Sequence, residues 1–445
     1  MGKLPLPLEG VRVVGMTQMW AGPIVEMHLA DWGAEIIKVE SIHYLAVGTR
    51  GPAPRHPKFA VDFVKGGYAA YLKEDYDEVK GRPWNRSCMF NVHGRNKYSC
   101  TVDPVKPEGK EILKRLIQVS DVFIENSQPA VMEDFGLTYD VISAWNPNII
   151  MLSMSGFGQT GPYKYFRSLG AHQDAFLGHT YLRGYADRDV TANSAIYHCD
   201  EASGTIGAFM VVMALHQRHK TGKGMFIDMA QTEATMIQLG EAIMDYTMNG
   251  RITERTGNRD LYGGIQGCYR CQGEDRWVCI AMHTDEEWQG LCRALGNPKW
   301  TKDDKFADSL SRWRNQDELD KHIGEWTSQH EAFEVMNILQ KEGVAAGPVE
   351  HPDDAYNDPQ MKERGFFETV THAECGTHRY PGLAFRMSKT PSHIRLPAVR
   401  LGEHNEYVYK KVLGFSDQEY ARLEKEGHIG MDLVPDIVIG KYKAK

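Results

Sequence analysis

Residues 11–40 read VRVVGMTQMWAGPIVEMHLADWGAEIIKVE, and this stretch decides the fold class of the chain. Residues 11–16 form an apolar run of strand length, and residues 34–40 (AEIIKVE) are the next predicted strand. Between them, Gly22-Pro23 predicts the start of a helix that continues to about Trp32, because proline fits the first turn of a helix. A strand, a helix and a strand in such close succession predict a parallel βαβ unit.

The same alternation continues along the chain beyond this unit. Residues 121–125 (DVFIE) and 148–154 (NIIMLSM) are predicted strands, and residues 108–119 are a predicted helix. In a parallel sheet covered by helices, ligands bind at the carboxyl ends of the strands, in the loops that lead into helices. We therefore expect a ligand at that edge of the sheet, where the loop 17–21 lies.

The second half of the chain has a different pattern. Residues 201–220 and 231–248 predict two long helices, and the glycines of TGKG (221–224) end the first of them. A polar, arginine-rich linker (249–260), a hairpin-like stretch (262–282) and helical sequence (286–343) follow, and a terminal helix is predicted at 417–426. Residues 51–88 show no steady period, so we expect a long loop or an insertion there.

The composition is that of an ordinary globular protein. Of the 445 residues, 42% are hydrophobic and 25% are charged, and a chain of this length predicts two or three domains. The net charge of −8 gives no general attraction to nucleic acid or to an anionic membrane. No apolar run has the length of a signal peptide or a membrane span, so we expect a cytoplasmic protein.

The cysteines indicate reduced thiols. The eight of them are scattered, and Cys268 and Cys271 alone form a C-x-x-C pair, without a second pair at metal-binding spacing. We expect no metal, and a zinc site at this pair is the alternative interpretation.

Asp200 stands out in the run YHCDEASG, at the predicted start of the long helix. Aspartate is a favoured N-cap residue, so a purely structural role is one interpretation. The other is chemical: a helix N-terminus favours the ionised carboxylate and so keeps a nucleophile available near neutral pH.

Two glycine-rich loops are weaker candidates. The loop SGFGQTGP (155–162) follows a predicted strand but matches neither a Walker loop nor a GxGxxG fingerprint. The stretch GGIQG begins at Gly263 and Gly264, where closely spaced glycines allow a mobile loop or an ordinary hairpin turn.

Several longer segments, taken in order, carry a family resemblance. They are LEGVRVVGMTQMWAGP, LADWGAEIIKVE, RNKYSCTVD, PEGKEILKRLIQVSDVFIEN, FGLTYDVISAWNPNIIMLSMSGFGQTGPY, YHCDEASGTIGAFMVVMALHQRHKTGKGMFIDMAQTEA, DPQMKERGFF, LAFRMSKTP and LGEHNEYVYKKVLG. Over nearly its whole length the chain resembles the family III CoA-transferases of the CaiB/BaiF type, which include formyl-CoA, carnitine and bile-acid CoA-transferases.

The resemblance implies an α/β fold, with a Rossmann-like large domain built from both chain ends and a smaller α+β domain. The implied segments are 1–225 for the first part of the large domain, 226–261 for a linker helix and linker, 262–350 for the small domain and 351–445 for the return to the large domain. It also implies an interlocked homodimer. The implied substrates are an acyl-CoA and a carboxylic acid, with no permanently bound cofactor.

The resemblance also implies site residues. Asp200 matches the family nucleophile, which attacks the thioester of a donor acyl-CoA, passes through an anhydride and an aspartyl-CoA thioester, and delivers CoA to an acceptor acid. Gly263 and Gly264 match a mobile loop that covers the intermediate, although the glycine run is shorter here. The positions that match CoA contacts are Met19, Trp20, Ala21, Val102, Asn126, Ser127, Val131, Phe135 and Arg167.

Two positions depart from the family pattern. Asp134 stands where an arginine is usual, so Arg167, Lys106 or Lys97 is expected to supply the charge for the CoA phosphates. Gly170 stands where the family has an acidic partner of the nucleophile, and His172 and Asp174 are the nearby residues that could replace it.

Two other functions remain open at this point. An α-methylacyl-CoA racemase has the same fold, but its catalytic histidine falls at Leu169, and leucine cannot accept a proton. A non-catalytic acyl-CoA-binding subunit of a heteromeric transferase is the second, favoured by Asp134 and Gly170 and opposed by an intact Asp200.

Overall fold

The computed structural model describes residues 4–50, 82–192, 197–435 and 438–439. Most of the insertion expected at 51–88 lies outside these residues. The strands are β1 Arg12–Met16, β2 Glu35–Glu40, β3 Tyr44–Leu45, β4 Lys97–Thr101, β5 Val122–Glu125, β6 Ile150–Ser153, β7 Met225–Asp228, β8 Ile265–Arg270, β9 Trp277–Met282, β10 Ala345–Pro348, β11 Phe367–His372, β12 Gly376–Pro381 and β13 Val438–Ile439.

The α-helices follow in chain order. They are α1 Ala21–Asp31, α2 Val47–Arg50, α3 Cys88–His93, α4 Pro107–Gln118, α5 Pro129–Phe135, α6 Tyr139–Trp145, α7 Gly170–Leu177, α8 His179–Leu182, α9 His198–Thr221, α10 Gln231–Met236, α11 Gly240–Asn249, α12 Asp285–Ala294, α13 Ser309–Arg314, α14 Gln316–Thr327, α15 Ala332–Lys341, α16 Pro352–Asn357, α17 Pro359–Glu363 and α18 Asp417–Lys425. Within the described ranges, no helix is long and apolar enough to cross a membrane.

A six-stranded sheet in the order β4-β2-β1-β5-β6-β7 is parallel throughout. The predicted βαβ unit at residues 11–40 is confirmed as β1, α1 and β2. The strand order reverses between β1 and β5, because β2 lies on one side of β1 and β5 on the other. Ligands of such sheets bind at this reversal, beyond the carboxyl ends of the two strands.

Both faces of this sheet are buried. Neighbouring residues of a strand point to opposite faces, and both Val13 and Val14 are fully buried. Val13 belongs to the apolar layer under α1 and α9, whereas Val14 belongs to the layer that includes Ile112 and Leu116 of α4. Burial on both sides explains why strands such as β5 and β6 are almost entirely apolar.

The chain forms two compact units. The first contains residues 1–177, 195–241 and 365–445, and the second contains 178–194 and 242–364. In the first unit the buried Arg95 links distant parts of the chain, since its guanidinium pairs with Asp31 at 2.7 Å and donates to the Pro381 carbonyl at 2.6 Å. The first unit is thus built from both chain ends.

The second unit has a core of its own. Its antiparallel sheet, in the order β10-β9-β8, contributes Val278 and Ile280 to an apolar cluster with Leu291, Leu319 and Leu339 of the neighbouring helices. The hairpin predicted at 262–282 is confirmed as β8 and β9. This unit is the α+β part of the fold.

Two of the predicted helices have different limits in the structure. The helix expected at 201–220 starts earlier, at His198, and ends at Thr221 before Gly222, whose φ of 70° makes it a left-handed cap. The helix expected at 231–248 is divided into α10 and α11 by a 3₁₀ turn, Ile237–Leu239.

Candidate active site

Asp200 lies in the first turn of α9, but it does not cap that helix. The backbone N–H groups of His198 and Cys199 donate to the two carboxylate oxygens of Asp174, at 3.2 and 3.1 Å. Asp174 lies on α7 and is 1% exposed, so it caps α9 from a neighbouring helix. The interpretation of Asp200 as an N-cap residue is therefore wrong, and its carboxylate is available for another role.

Close packing of two helices sets the surroundings of Asp200. A Cβ on Gly204 of α9 would lie 2.6 Å from the Ile24 side chain and 3.0 Å from the Ala21 carbonyl oxygen, both on α1. Only glycine permits this approach. The approach brings the start of α1 to the first turn of α9, where the Ala21 N–H lowers the pKa of the Asp200 carboxylate.

The pKa of Asp200 is raised to about 7. Burial is the main cause, because it disfavours the charged form, and the carboxylates of Asp174 and Glu201 add to the shift. The Ala21 N–H opposes these effects and lowers the pKa. The expectation that the helix N-terminus keeps this group ionised is corrected, because burial outweighs it.

Gly170 leaves space for the Asp200 carboxylate. A Cβ at this position would lie 2.1 Å from Oδ2 of Asp200. The acidic partner that the resemblance places at position 170 has no room here. Two residues were the candidate replacements for that partner. Asp174 raises the pKa of Asp200 through its charge, whereas His172 accepts a hydrogen bond from the Leu169 N–H at 3.2 Å.

Asp200 opens into a cavity of about 290 Å³ in the first unit. Its wall comprises Met19, Trp20, Gly48, Met89, Asn126, Gln128, Ser155, Gly156, Phe166, Arg167, Ser168, Leu169, Gly170, Gln173, Tyr197 and Gln231. Met19 and Tyr197 have left-handed backbones, with φ of 61° and 49°. Such strain in residues other than glycine is concentrated at functional sites.

A larger cavity of about 530 Å³ lies at the reversal of the strand order. Its wall comprises Met16, Thr17, Gln18, Lys38, Val39, Glu40, Ser41, His43, Tyr44, Leu45, Ala46, Thr49, Arg50, Val102, Asp103, Pro104, Val105, Ser127, Gln128, Val131, Phe135, Arg167 and Leu401. Gln128 and Arg167 belong to both walls, so the two cavities adjoin.

Most of the residues matched to CoA contacts line one of these cavities. Met19, Trp20 and Asn126 line the smaller one, Val102, Ser127, Val131 and Phe135 line the larger one, and Arg167 lines both. Lys106 is partly exposed beside the larger cavity, where its ammonium lies 3.7 Å from Asp103. The prediction that Ala21 contacts CoA is corrected. Ala21 is 1% exposed, and it faces Asp200 through its backbone instead of lining a cavity wall.

The prediction that Lys97 can supply charge for the CoA phosphates is also corrected. Its ammonium is buried and pairs with Glu26 at 2.8 Å, and it also donates to the Pro23 carbonyl at 3.0 Å. A lysine held in this way has no ammonium to offer a phosphate. Burial lowers the pKa of Lys97 to about 8, although the Glu26 carboxylate opposes the shift.

Ser155 was not singled out from the sequence. It is 3% exposed on the wall of the Asp200 cavity, and its hydroxyl has no hydrogen-bond partner among the described residues. A buried hydroxyl without a partner is uncommon in a folded protein and fits a ligand group. In the sequence, the one signal for Ser155 is its place directly after a predicted strand, at the start of the loop SGFGQTGP.

Gly263 and Gly264 lie in the second unit, directly before β8. Gly263 has φ of 94°, and the Gly264 N–H donates to Asp260 at 2.7 Å. A Cβ on Gly264 would lie 2.4 Å from the His283 ring. Cys268 and Cys271, in the same unit, carry free thiols, as do the other six cysteines.

Residues 8–405 match the pattern of one protein family, described as CoA-transferase family III. The chain belongs to CoA-transferase family III. The succinyl-CoA–D-citramalate CoA-transferase of Chloroflexus aurantiacus is 31% identical over 94% of this chain and 97% of that protein. The formyl-CoA:oxalate CoA-transferase of Rhodopseudomonas palustris is 27% identical over 94% of this chain and 96% of that protein.

The fold of this transferase matches a solved structure of the same family. The crystal structure of a CaiB/BaiF family protein from Brucella suis superposes with a TM-score of 0.78 and 28% identity, over 92% of this chain and 100% of that one. The transferase therefore moves CoA between an acyl-CoA and a carboxylic acid.

Proposed function

We propose that this transferase works through Asp200 as a covalent nucleophile, with CoA in the larger cavity and its thioester beside Asp200. The observation that carries the proposal is the pair of adjoining cavities, since Gln128 and Arg167 belong to both. The larger cavity lies at the sheet edge where nucleotide ligands bind in this fold class. The smaller one contains the Asp200 carboxylate, which does not serve as a helix cap.

The reaction proceeds by four acyl transfers without change of oxidation state. The Asp200 carboxylate attacks the thioester carbonyl of the donor, and the carbon–sulfur bond breaks to give a mixed anhydride and CoA thiolate. The thiolate attacks the Asp200 carbonyl and releases the donor carboxylate. The acceptor carboxylate then displaces CoA thiolate from Asp200, and the thiolate attacks the acceptor carbonyl to give the new acyl-CoA and free Asp200.

The surroundings of Asp200 suit this sequence. Partial burial of Asp200 limits the access of water, which would hydrolyse the anhydride and the aspartyl thioester. Each attack produces a negative oxygen, and the unpartnered hydroxyl of Ser155 is a donor in the same cavity. Gly263 and Gly264 stay the predicted covering loop, and the φ of 94° at Gly263 fits a tight turn that glycine adopts readily.

We propose a homodimer, as the resemblance implies. It is supported by apolar side chains that stand exposed on the first unit: Phe209 (61%), Val212 and Met213 on α9, and Ile237 (74%). Patches of this kind on a folded chain mark interaction surfaces. The two compact units support a large domain built from both chain ends and a smaller one that contains 262–350. Residues 178–194, 242–261 and 351–364, which were predicted outside the small domain, belong to the second unit.

Leu169 argues against the racemase as a second function. It lies on the wall of the Asp200 cavity, at the position that matches the racemase histidine. An aliphatic side chain there cannot remove a proton from the substrate, so the nucleophilic route is favoured.

The test is the Asp200→Ala variant, with acetyl-CoA as donor and a panel of acids as acceptors. We expect transfer to fall at least about 10³-fold while CoA still binds, because the nucleophile is lost and the larger cavity is unchanged. Hydroxylamine should trap an adduct on Asp200 of the unmodified protein during turnover.

The matched control is Asp140→Ala, which removes an exposed carboxylate from the first turn of α6 and should leave transfer unchanged. Full activity of Asp200→Ala would refute the proposal. Binding of acyl-CoA by the unmodified protein without transfer to any acid would favour the non-catalytic subunit.

A further inference from the structure

We propose that the acid which reacts at Asp200 is an aromatic or bulky apolar monocarboxylic acid and not a dicarboxylic acid. This inference rests on the proposed function, because it assigns the class of acid that the Asp200 cavity accepts. It also separates this transferase from relatives named for succinyl-CoA with citramalate, malate or glutarate, which are dicarboxylic acids.

The wall beside Asp200 is rich in aromatic and thioether side chains. Trp20 and Tyr197 both line the cavity, and their rings meet edge to face with 5.0 Å between centroids. Met19 and Met89 lie on the same wall. Aromatic rings and polarisable methionine side chains favour an apolar, flat ligand group.

The mouth of the cavity continues this surface outward. Phe166 and Leu169 line the cavity, yet they are 56% and 49% exposed. The Phe166 ring packs on Tyr163, with centroids 4.8 Å apart, and Phe157 packs on Phe176 at 5.0 Å. An exposed aromatic cluster that is continuous with the nucleophile's cavity is a surface for the body of the acid that Asp200 attacks.

The cavity offers little to a second carboxylate. Arg167 is the one cationic side chain among the described residues of its wall, and it is shared with the larger cavity. The amide nitrogens of Gln128 and Gln231 already donate to the backbone carbonyls of Tyr165 and Met154. A carboxylate buried here without a partner loses its hydration and gains no compensating bond.

Ser155 is a buried polar group on the same wall as Asp200. Its hydroxyl has no hydrogen-bond partner among the described residues, and the Ala21 N–H lowers the pKa of Asp200. Phe166 and Leu169, by contrast, are half exposed. The cavity therefore has Ser155 and Asp200 at one end and the apolar side chains of Phe166 and Leu169 at its mouth, with Arg167 as the cation between those two in sequence. This arrangement favours a monocarboxylic acid with an apolar body.

The experiment compares 3-phenylpropionate, glutarate and butyrate as acceptors, with acetyl-CoA as donor and the full-length chain. The first two acids place a ring or a second carboxylate at a similar distance from the reacting carboxylate. We expect kcat/KM to be at least about 30-fold higher for 3-phenylpropionate than for glutarate, with butyrate between them.

Two variants test the named surface. Phe166→Ala should reduce the preference for 3-phenylpropionate over glutarate about 10-fold, because the phenyl ring of the acid loses the Phe166 side chain as its packing partner at the mouth of the cavity. Leu169→Arg should raise kcat/KM for glutarate by a similar factor, because it adds a cation for the distal carboxylate. Phe385→Ala is the control, since Phe385 is also half exposed but stacks on Trp32, which lines neither cavity, and should leave the preference unchanged.

The outcomes separate this inference from the proposed function. Efficient transfer to glutarate by the unmodified protein would overturn the inference and leave the Asp200 mechanism intact. Absence of transfer to every acid, together with no hydroxylamine adduct, would overturn the proposed function itself. A change of oligomeric state in Phe166→Ala with an unchanged preference would assign the cluster to a subunit contact and overturn the inference.

Discussion

The substitution Gly170→Ala is expected to displace Asp200, the proposed nucleophile, without destabilising the fold. The added Cβ would lie 2.1 Å from Oδ2 and 2.9 Å from Cγ of Asp200. Ordinary contact requires the carboxylate to retreat by about 1 Å, because real Cβ atoms essentially never approach another heavy atom closer than 3.0 Å. A displacement of about 1 Å in a reacting group costs on the order of 10²-fold in rate.

Stability should not fall with this loss of activity. Gly170 is the first residue of α7 and does not have a positive φ, so its backbone suits alanine. Alanine is favoured over glycine within a helix by up to about 1 kcal/mol. We therefore expect a kcat about 100-fold lower, with an unchanged or slightly raised Tm and unchanged affinity for free CoA.

The assay is acetyl-CoA-dependent transfer, measured together with thermal unfolding and CoA binding. Gly324→Ala is the matched control, because Gly324 lies within helix α14 and has open space at its Cβ position. It should retain full activity. A folded Gly170→Ala protein with the kcat of the unmodified enzyme would refute the assigned position of Asp200.

Two further substitutions test the groups around the nucleophile. Because the pKa of Asp200 is about 7 and its carboxylate is the reactive form, kcat/KM for the donor should fall as the pH drops below 7. Asp174→Asn removes a negative charge that faces Asp200, while Glu201 and the Ala21 N–H remain. We expect the acid limb of that profile to move about one unit lower, and an unmoved limb would contradict the electrostatic role of Asp174. Ser155→Ala should lower kcat by about 10- to 100-fold for all acids and leave Tm unchanged or raise it, because a buried unpartnered hydroxyl is removed; a lowered Tm with unchanged kcat would assign Ser155 to the fold alone.

The sequence by itself determined the fold class and pointed to Asp200 as the candidate nucleophile. The segments at 11–16 and 34–40 became β1 and β2 with α1 between them, because strands buried on both faces are rich in apolar residues. Asp200 was found because the residues around it resemble a family. Periodicity alone also gave the helix that carries it, with its start misplaced by three residues.

Only the tertiary structure decided what surrounds Asp200. Its pKa, its freedom from capping and the wall of its cavity depend on Asp174, Gly170 and Ala21, which reach it from α7 and α1. The burial of Lys97 against Glu26 was equally hidden, since a lysine at the start of a strand looks the same whether its ammonium meets solvent or a carboxylate. Local pattern reports the period of burial along one element, whereas charge pairing and desolvation depend on which elements fold against each other.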